Sequence, residues 1–200
     1  MRVSKEKAAE NRAALLQAAS RLFRQRGIDG VGVADIAKEA GLTHGALYAH
    51  FPSKDALAAE AFSHGFAGNL ADIREWAGER RLSFEDYLEG YLSPRMRDML
   101  EAGCPMAASA SEVGRQDEAV SASFTGAFEA MAALLEASLE KTIPSDERRR
   151  LAVAAAAAEI GAIAVSRAVA KSDPALSEEV LEAVRAAFAA IHDVEASGAE

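Results

Sequence analysis

The sequence predicts an all-α protein of about nine helices. Half of the 200 residues are hydrophobic and only five are proline, so little interrupts a helix. Alanine is used heavily, above all in residues 151–158 and 183–190, and Ala, Leu, Glu and Arg all favour helix. No segment alternates apolar and polar residues in the way that predicts a strand. The chain is therefore expected to fold as a helical bundle.

The N-terminal part predicts three helices joined by short turns. Leu15, Leu22 and their apolar neighbours recur at three- and four-residue spacing, which indicates an amphipathic helix over residues 8–26 that Gly27 ends. A second helix is predicted over 33–40. After Gly41, Thr43 has the side chain of an N-cap for a third helix over 43–50, which Pro52 stops.

The rest of the chain predicts six longer helices. Ser53 is expected to cap a helix over 54–78, in which Gly65 and Gly68 mark a bend or a close crossing. Ser83 is expected to cap a helix over 83–102. The remaining helices are predicted over 105–113, 117–142, 146–171 and 177–193, the last with Ser177 at its start.

Two short helices around a glycine turn form the unit that places its second helix in the major groove of DNA. Residues 31–50 fit this unit, because small residues at Ala37 and Ala40 allow a close crossing. The predicted division is a DNA-binding head over 1–53 and a ligand-binding and dimerisation bundle over 54–200.

Charge is divided in the same way. The chain carries a net charge of −9, but residues 1–55 hold nine Lys and Arg against six Asp and Glu, a net of +3. The remaining residues hold 13 basic and 25 acidic groups, a net of −12. A phosphate backbone attracts the first segment and repels the second. The excess of +3 is modest, so it supports the assignment of the head without establishing it.

The residues from Val33 to Leu57, VADIAKEAGLTHGALYAHFPSKDAL, closely resemble the head of the TetR/AcrR family of bacterial repressors. The preceding residues 14–30, with LFRQRG at 22–27, resemble the first helix of that family. The resemblance covers about 50 residues. Beyond them the chain matches the family only in length and helical character.

The resemblance implies a role for each residue of the third helix. Thr43 caps the helix and contacts a phosphate, His44 and Ala46 point to base edges, and Gly45 allows close approach to the groove. Tyr48 contacts backbone and bases, Ala49 lies on the same outer face, and His50 and Lys54 contact the DNA backbone. The alternatives are a packed core aromatic for Tyr48 and plain solvent exposure for the two histidines.

The head departs from the family pattern in one respect. Family members usually carry hydroxyl residues before the second helix, where this chain has Val31 and Gly32. No Arg or Lys lies between Lys38 and Lys54, so strong bidentate readout of guanine by the third helix is not expected. Contacts from His, Thr and Tyr, together with DNA shape, would have to supply specificity.

The resemblance also implies a homodimer, held by the last two helices of each chain, on a palindromic operator. The alternative is that the alanine-rich helix over 146–171 packs only within its own chain. The middle helices are expected to enclose an apolar pocket for a small-molecule effector, although each candidate wall residue can equally be plain core. These residues are Phe62, Phe66, Tyr87, Tyr91, Met99, Phe124 and Phe128.

The only cysteine, Cys104, precedes a predicted helix in Gly103-Cys104-Pro105. Free amides at a helix start can lower a thiol pKa and favour the reactive thiolate. Cys104 is therefore a candidate redox or electrophile sensor, with a buried structural thiol as the alternative. A single cysteine excludes an intramolecular disulfide and suits a reducing cytoplasm.

No carboxylate pair, His/Cys cluster or glycine-rich phosphate loop suggests an enzyme, a metal site or a cofactor. The sequence contains no run of about 18 uncharged apolar residues, so no membrane span is predicted. No secretory signal is predicted in residues 1–12. Two functions are weighed: a cytoplasmic repressor released by a small-molecule inducer, and an all-helical carrier or interaction protein without DNA binding. Salt-dependent DNA binding distinguishes them.

Overall fold

The computed structural model describes residues 4–197, and the side chains of residues 4–191. Every regular element in this range is a helix, which confirms the predicted fold class. There are ten helices rather than about nine: α1 Lys5–Arg26, α2 Val33–Glu39, α3 His44–Tyr48, α4 Lys54–Ala77, α5 Phe84–Tyr91, α6 Pro94–Asp98, α7 Pro105–Val113, α8 Glu118–Ser138, α9 Ser145–Val169 and α10 Pro174–Ser197.

The single helix predicted over 83–102 is wrong, because it is interrupted at Ser93-Pro94. Ser83 caps α5 as predicted, with its hydroxyl accepting from the Asp86 amide at 3.0 Å. Proline has no N–H and holds the preceding residue extended, so Ser93 adopts φ −127° and ψ 151° and starts α6 afresh. Arg167 of α9 then donates to the backbone oxygens of Met96 and Arg97 at 3.0 and 2.8 Å.

The predicted start of the last helix at Ser177 is also wrong. The carboxylate of Asp173 accepts from the Leu176 amide at 3.0 Å, and Pro174 occupies the first turn, so α10 begins three residues earlier. Ser177 is fully buried in the helix instead of capping it.

The described residues separate into two compact units. The first contains the residues up to Asp72 together with Leu100–Ala127, and the second contains Ile73–Met99 and the residues from Phe128 onward. Helices α4 and α8 contribute to both. The predicted boundary of a DNA-binding head after residue 53 stays a prediction.

The core of the first unit holds the three N-terminal helices together. Leu15, Ile36, Leu47, Phe51 and Leu57 are all fully buried. They come from α1, α2, α3, the segment after α3 and α4, respectively. Because each of these helices buries its apolar face against the others, the exposed face of α3 is fixed in orientation.

The second unit is built around α9, which packs against α10 and α6. By length and composition alone α9 could cross a membrane, with a mean hydropathy of 1.6 in its most apolar 18-residue window. However, 44% of that window is buried within the structure, and the core helix of a soluble protein has the same composition. Packing in the interior accounts for the buried part of this apolar surface.

Candidate nucleic-acid interface

The turn between α2 and α3 is tight and is formed by glycine. Gly41 has φ +69°, a conformation that residues with a side chain rarely adopt, and the Leu42 amide donates to the Ala37 carbonyl at 2.8 Å. Thr43 then caps α3 as predicted, since its Oγ1 accepts from the Ala46 amide at 3.3 Å. The turn and the cap together determine where α3 starts.

The two sides of α3 differ sharply. Leu47 is completely buried, whereas Tyr48 is 47% exposed, so Tyr48 is not a core aromatic. His44, Gly45 and Ala49 are exposed with it, and Ala46 and His50 are half-buried. The rings of His44 and Tyr48 lie edge to face with centroids 5.2 Å apart. The outer side of α3 therefore presents two polar aromatics in edge-to-face contact beside small residues.

The basic residues of the first unit fall into two groups. Arg12 pairs with Glu60 and lies 4.8 Å over the Phe51 ring, and Arg21 pairs with Glu39 and Glu101. Hydrogen bonding to Glu101 raises the pKa of Arg21. By contrast, Lys38 and Lys54 form no ion pair within the described residues. These two lysines flank α3 in sequence and can meet phosphates without breaking an internal contact.

The entrance to α2 has no hydroxyl, in agreement with the sequence. Gly32 occupies the N-cap position and its amide donates to the Asp35 carboxylate at 3.3 Å. Val31 is buried, with 1% of its surface exposed. Neither residue has a side chain that can hold a phosphate.

This exposed helix after a glycine turn is the arrangement of a helix-turn-helix. A family model described as bacterial regulatory proteins, tetR family, matches residues 15–61, which span α1 to the first part of α4. This match supports the predicted resemblance to the TetR/AcrR family of transcriptional regulators. This assignment supports the prediction that it is a regulator and not an enzyme.

Relatives within the family match most strongly over the head. The chain is 47% identical over 57 residues to the HTH-type transcriptional regulator TtgR of Pseudomonas putida. That match spans 28% of this chain but only 27% of TtgR. The HTH-type transcriptional regulator LmrA of Bacillus subtilis is 29% identical over 172 residues, which cover 84% of this chain and 92% of LmrA.

Solved TetR-family structures share the whole fold. The reduced form of NemR from Escherichia coli superposes with a TM-score of 0.72 over 89% of this chain and 94% of NemR, at 24% identity. A TetR regulator from Legionella pneumophila gives a TM-score of 0.73 over 96% and 99% of the two chains, at 19% identity. At these identities the likeness establishes the fold alone.

The residues predicted to line an effector pocket belong to both units. In the first unit the rings of Phe62 and Phe124 contact each other, with centroids 5.6 Å apart, and Phe66 is half-buried. Phe62 also lines a cavity of about 20 Å³, which suits a single water molecule and no larger effector. The residues in the second unit are all half-buried: Tyr87, Tyr91, Met99 and Phe128. The pocket stays a prediction.

Cys104 lies at the N-cap position of α7 and is only 3% exposed. The guanidinium of Arg24 donates to the neighbouring Gly103 carbonyl at 3.2 Å and interacts electrostatically with Cys104. Burial lowers the pKa of Arg24, and its Nε has no hydrogen-bond partner among the described residues. Cys104 is thus a buried thiol with the guanidinium of Arg24 nearby.

Sequence reasoning overlooked Glu112 and Gln116. The Glu112 carboxylate accepts from the consecutive amides of Ile28 and Asp29 at 2.9 and 2.8 Å. Gln116 donates to the Asp29 carboxylate at 3.2 Å. Both residues hold the turn between α1 and α2, although they lie more than 80 residues further along the chain.

Proposed function

We propose that this protein is a cytoplasmic transcriptional repressor that binds a palindromic operator as a homodimer. The exposed pair of Tyr48 and His44 on α3 carries the proposal, because a large polar aromatic there has no structural role in the core. In this proposal Thr43, His50 and Lys54 contact the DNA backbone, and Tyr48 contacts both backbone and bases. His44, Gly45, Ala46 and Ala49 face the bases.

The dimer is proposed to form through α9 and α10. One side of α9 packs within the chain, where Ala152, Ala155 and Ile163 are fully buried. Its opposite side exposes a stripe of small or apolar residues, Ala154, Ala157, Gly161, Val165 and Ala168. On α10, Leu176 and Ile191 are 40% and 42% exposed. Two such pairs of helices can form a four-helix bundle that removes this apolar surface from water.

Selection of DNA by the purified protein tests operator binding. The parent protein is used to select duplexes from a random 30-base-pair pool, and the selected duplex is then titrated with each variant at several salt concentrations. We expect Tyr48→Ala to weaken binding about tenfold or more. Lys54→Ala should reduce the salt dependence by about one counterion per chain.

Two matched controls separate the site from general effects. Trp76→Ala removes an exposed aromatic of α4, over whose ring the Arg80 guanidinium lies, and Lys171→Ala removes an exposed lysine after α9. Both controls should bind the selected duplex as the parent does. If Tyr48→Ala and Lys54→Ala also bind like the parent, the assigned interface is wrong. If the parent selects no sequence and shows no salt-dependent binding, the carrier alternative replaces the repressor.

We propose that a small molecule releases the dimer from DNA. It would bind preferentially to the conformation of the dimer that cannot contact two successive major grooves. An electrophile is a second candidate signal, because the guanidinium of Arg24 interacts electrostatically with Cys104. N-ethylmaleimide should then release the selected duplex from the parent and not from Cys104→Ser. Since Cys104 is the only cysteine, equal release from both proteins would exclude this route.

A further inference from the structure

The turn that connects α1 to α2 is held by a carboxylate from a distant helix. Glu112, near the end of α7, places Oε2 2.9 Å from the Ile28 nitrogen and Oε1 2.8 Å from the Asp29 nitrogen. Two consecutive backbone amides that converge on one anion form a short, strong pair of charge-assisted hydrogen bonds. One side chain therefore satisfies both amides where the chain leaves α1.

The local sequence is suited to this contact. Gly27 has φ +75°, and a Cβ at this position would lie 3.0 and 3.1 Å from the two oxygens of Glu112. Ile28 and Val31, on the inner side of the same turn, are 3% and 1% exposed. The turn is thus held by apolar burial on one side and by the carboxylate on the other.

Gln116 extends the contact by donating to the Asp29 carboxylate at 3.2 Å. Beyond the turn, Gly32 begins α2, which packs against both α1 and α3. A change in the position of the turn would therefore alter how α2 and α3 lie on α1. Because Glu112 is not on α3, its hydrogen bonds can influence the outer face of α3 through this arrangement of helices.

We propose that Glu112 is a positioning residue for DNA binding, which fixes the α1–α2 turn and with it the orientation of α2 and α3. This inference rests on the proposed function, since it concerns the affinity of the same helix for DNA. The direction of the expected change in DNA affinity distinguishes a positioning role from a purely electrostatic one. Removal of a negative charge from a DNA-binding unit strengthens binding by simple electrostatics, whereas loss of a positioning contact weakens it.

The test compares Glu112→Gln with Glu118→Gln, which removes the charge of an exposed glutamate on the neighbouring helix α8. Binding to the duplex selected by the parent is measured at a fixed salt concentration. We expect Glu112→Gln to bind at least about fivefold more weakly, despite its lost negative charge. Glu118→Gln should bind equally well or slightly more tightly. Equal or tighter binding by Glu112→Gln overturns the proposal.

Amide hydrogen exchange gives a readout that does not depend on DNA. In Glu112→Gln the Ile28 and Asp29 amides should exchange faster than in the parent, whereas interior amides of α1, such as that of Leu22, should keep their protection. Unchanged exchange at both positions would also overturn the proposal. Failure of the parent to bind any selected duplex would instead contradict the proposed function, so the two failures are distinguishable.

Discussion

Ser166 of α9 and Ser177 of α10 bond to each other reciprocally in a fully buried crossing. Their hydroxyl oxygens are 2.8 Å apart, and each hydroxyl also lies within hydrogen-bond distance of the partner's backbone oxygen, at 2.7 and 2.9 Å. Neither residue is exposed. Small side chains let the two helices approach closely, and Arg97 of α6 also donates to the Ser177 hydroxyl at 3.0 Å, so both hydroxyls are fully hydrogen-bonded within the protein.

This pairing predicts that single substitutions cost more than the double one. Ser166→Ala leaves the Ser177 hydroxyl with fewer partners in a buried site, so it should lower the free energy of unfolding by about 1–3 kcal/mol. The double variant should lose less than the sum of the two single variants, because either single variant already removes the bond between the two hydroxyls. Urea unfolding of the four proteins measures this coupling, and strictly additive losses would show that the two hydroxyls act independently.

Substitution of Gly65 by alanine is predicted to destabilise the protein, whereas the same substitution at an ordinary helical glycine stabilises it. A Cβ at this position of α4 would overlap the Ser20 hydroxyl of α1 and lie 3.1 Å from Nη1 of Arg24. Gly65→Ala should therefore destabilise the protein by about 1–3 kcal/mol, although alanine favours helix. Gly68→Ala is the control, because its Cβ meets nothing within 4 Å. It should stabilise α4 by up to about 1 kcal/mol, and a gain for both variants would contradict the close crossing.

Local sequence signals located most helix ends but not the contacts between distant elements. Thr43, Ser53 and Ser83 cap α3, α4 and α5 as predicted, because a hydroxyl before an apolar run has a clear local purpose. Gly65 also marks a close crossing as expected, whereas Gly68 does not, because a Cβ there meets nothing within 4 Å. The unbroken helix predicted over 83–102 and the late start predicted for the last helix are wrong for one reason. Pro94 and Pro174 each begin a helix, and the predictions place neither of them at a helix start.

The residues of the candidate site also differ in whether the sequence alone could reveal them. The residues of α3 were predictable, since they lie within one short motif that a family shares. Glu112 was not, because it bonds to Ile28 across a separation of 84 residues and looks in sequence like any glutamate on an exposed helix face. Only the folded chain brings such a side chain to the turn that it holds.

Glu159 predicts a pH dependence of stability. It is 1% exposed on the inner face of α9, and its Oε1 has no hydrogen-bond partner among the described residues. Burial raises the pKa of this carboxyl well above its ordinary value of 4.5. The folded state thus keeps the proton to higher pH than the unfolded chain does. Its contribution to stability is fully present below pH 4.5 and is lost as the pH rises through the folded-state pKa.

Glu159→Gln carries no ionisable group, so its stability relative to the parent should increase as the pH rises above 4.5. Urea unfolding of both proteins between about pH 4.5 and pH 8 measures this difference. The control is Glu182→Gln, which replaces an exposed glutamate on α10. Its difference in stability from the parent should change little with pH. A difference between Glu159→Gln and the parent that stays constant over this range would mean that Glu159 does not titrate abnormally.

Gly161 provides the sharpest test of the proposed dimer. It lies in the exposed stripe on α9, and a Cβ there meets nothing within 4 Å of the same chain. Gly161→Arg should therefore fold normally as a monomer, while a second copy would have to bury an unpaired charge at about 3 kcal/mol or more. Sedimentation equilibrium should show dimerisation weakened about 100-fold or more. Gly126→Arg, at an exposed and open position of α8, should leave the dimer intact. A Gly161→Arg protein that dimerises as tightly as the parent would place the interface away from α9.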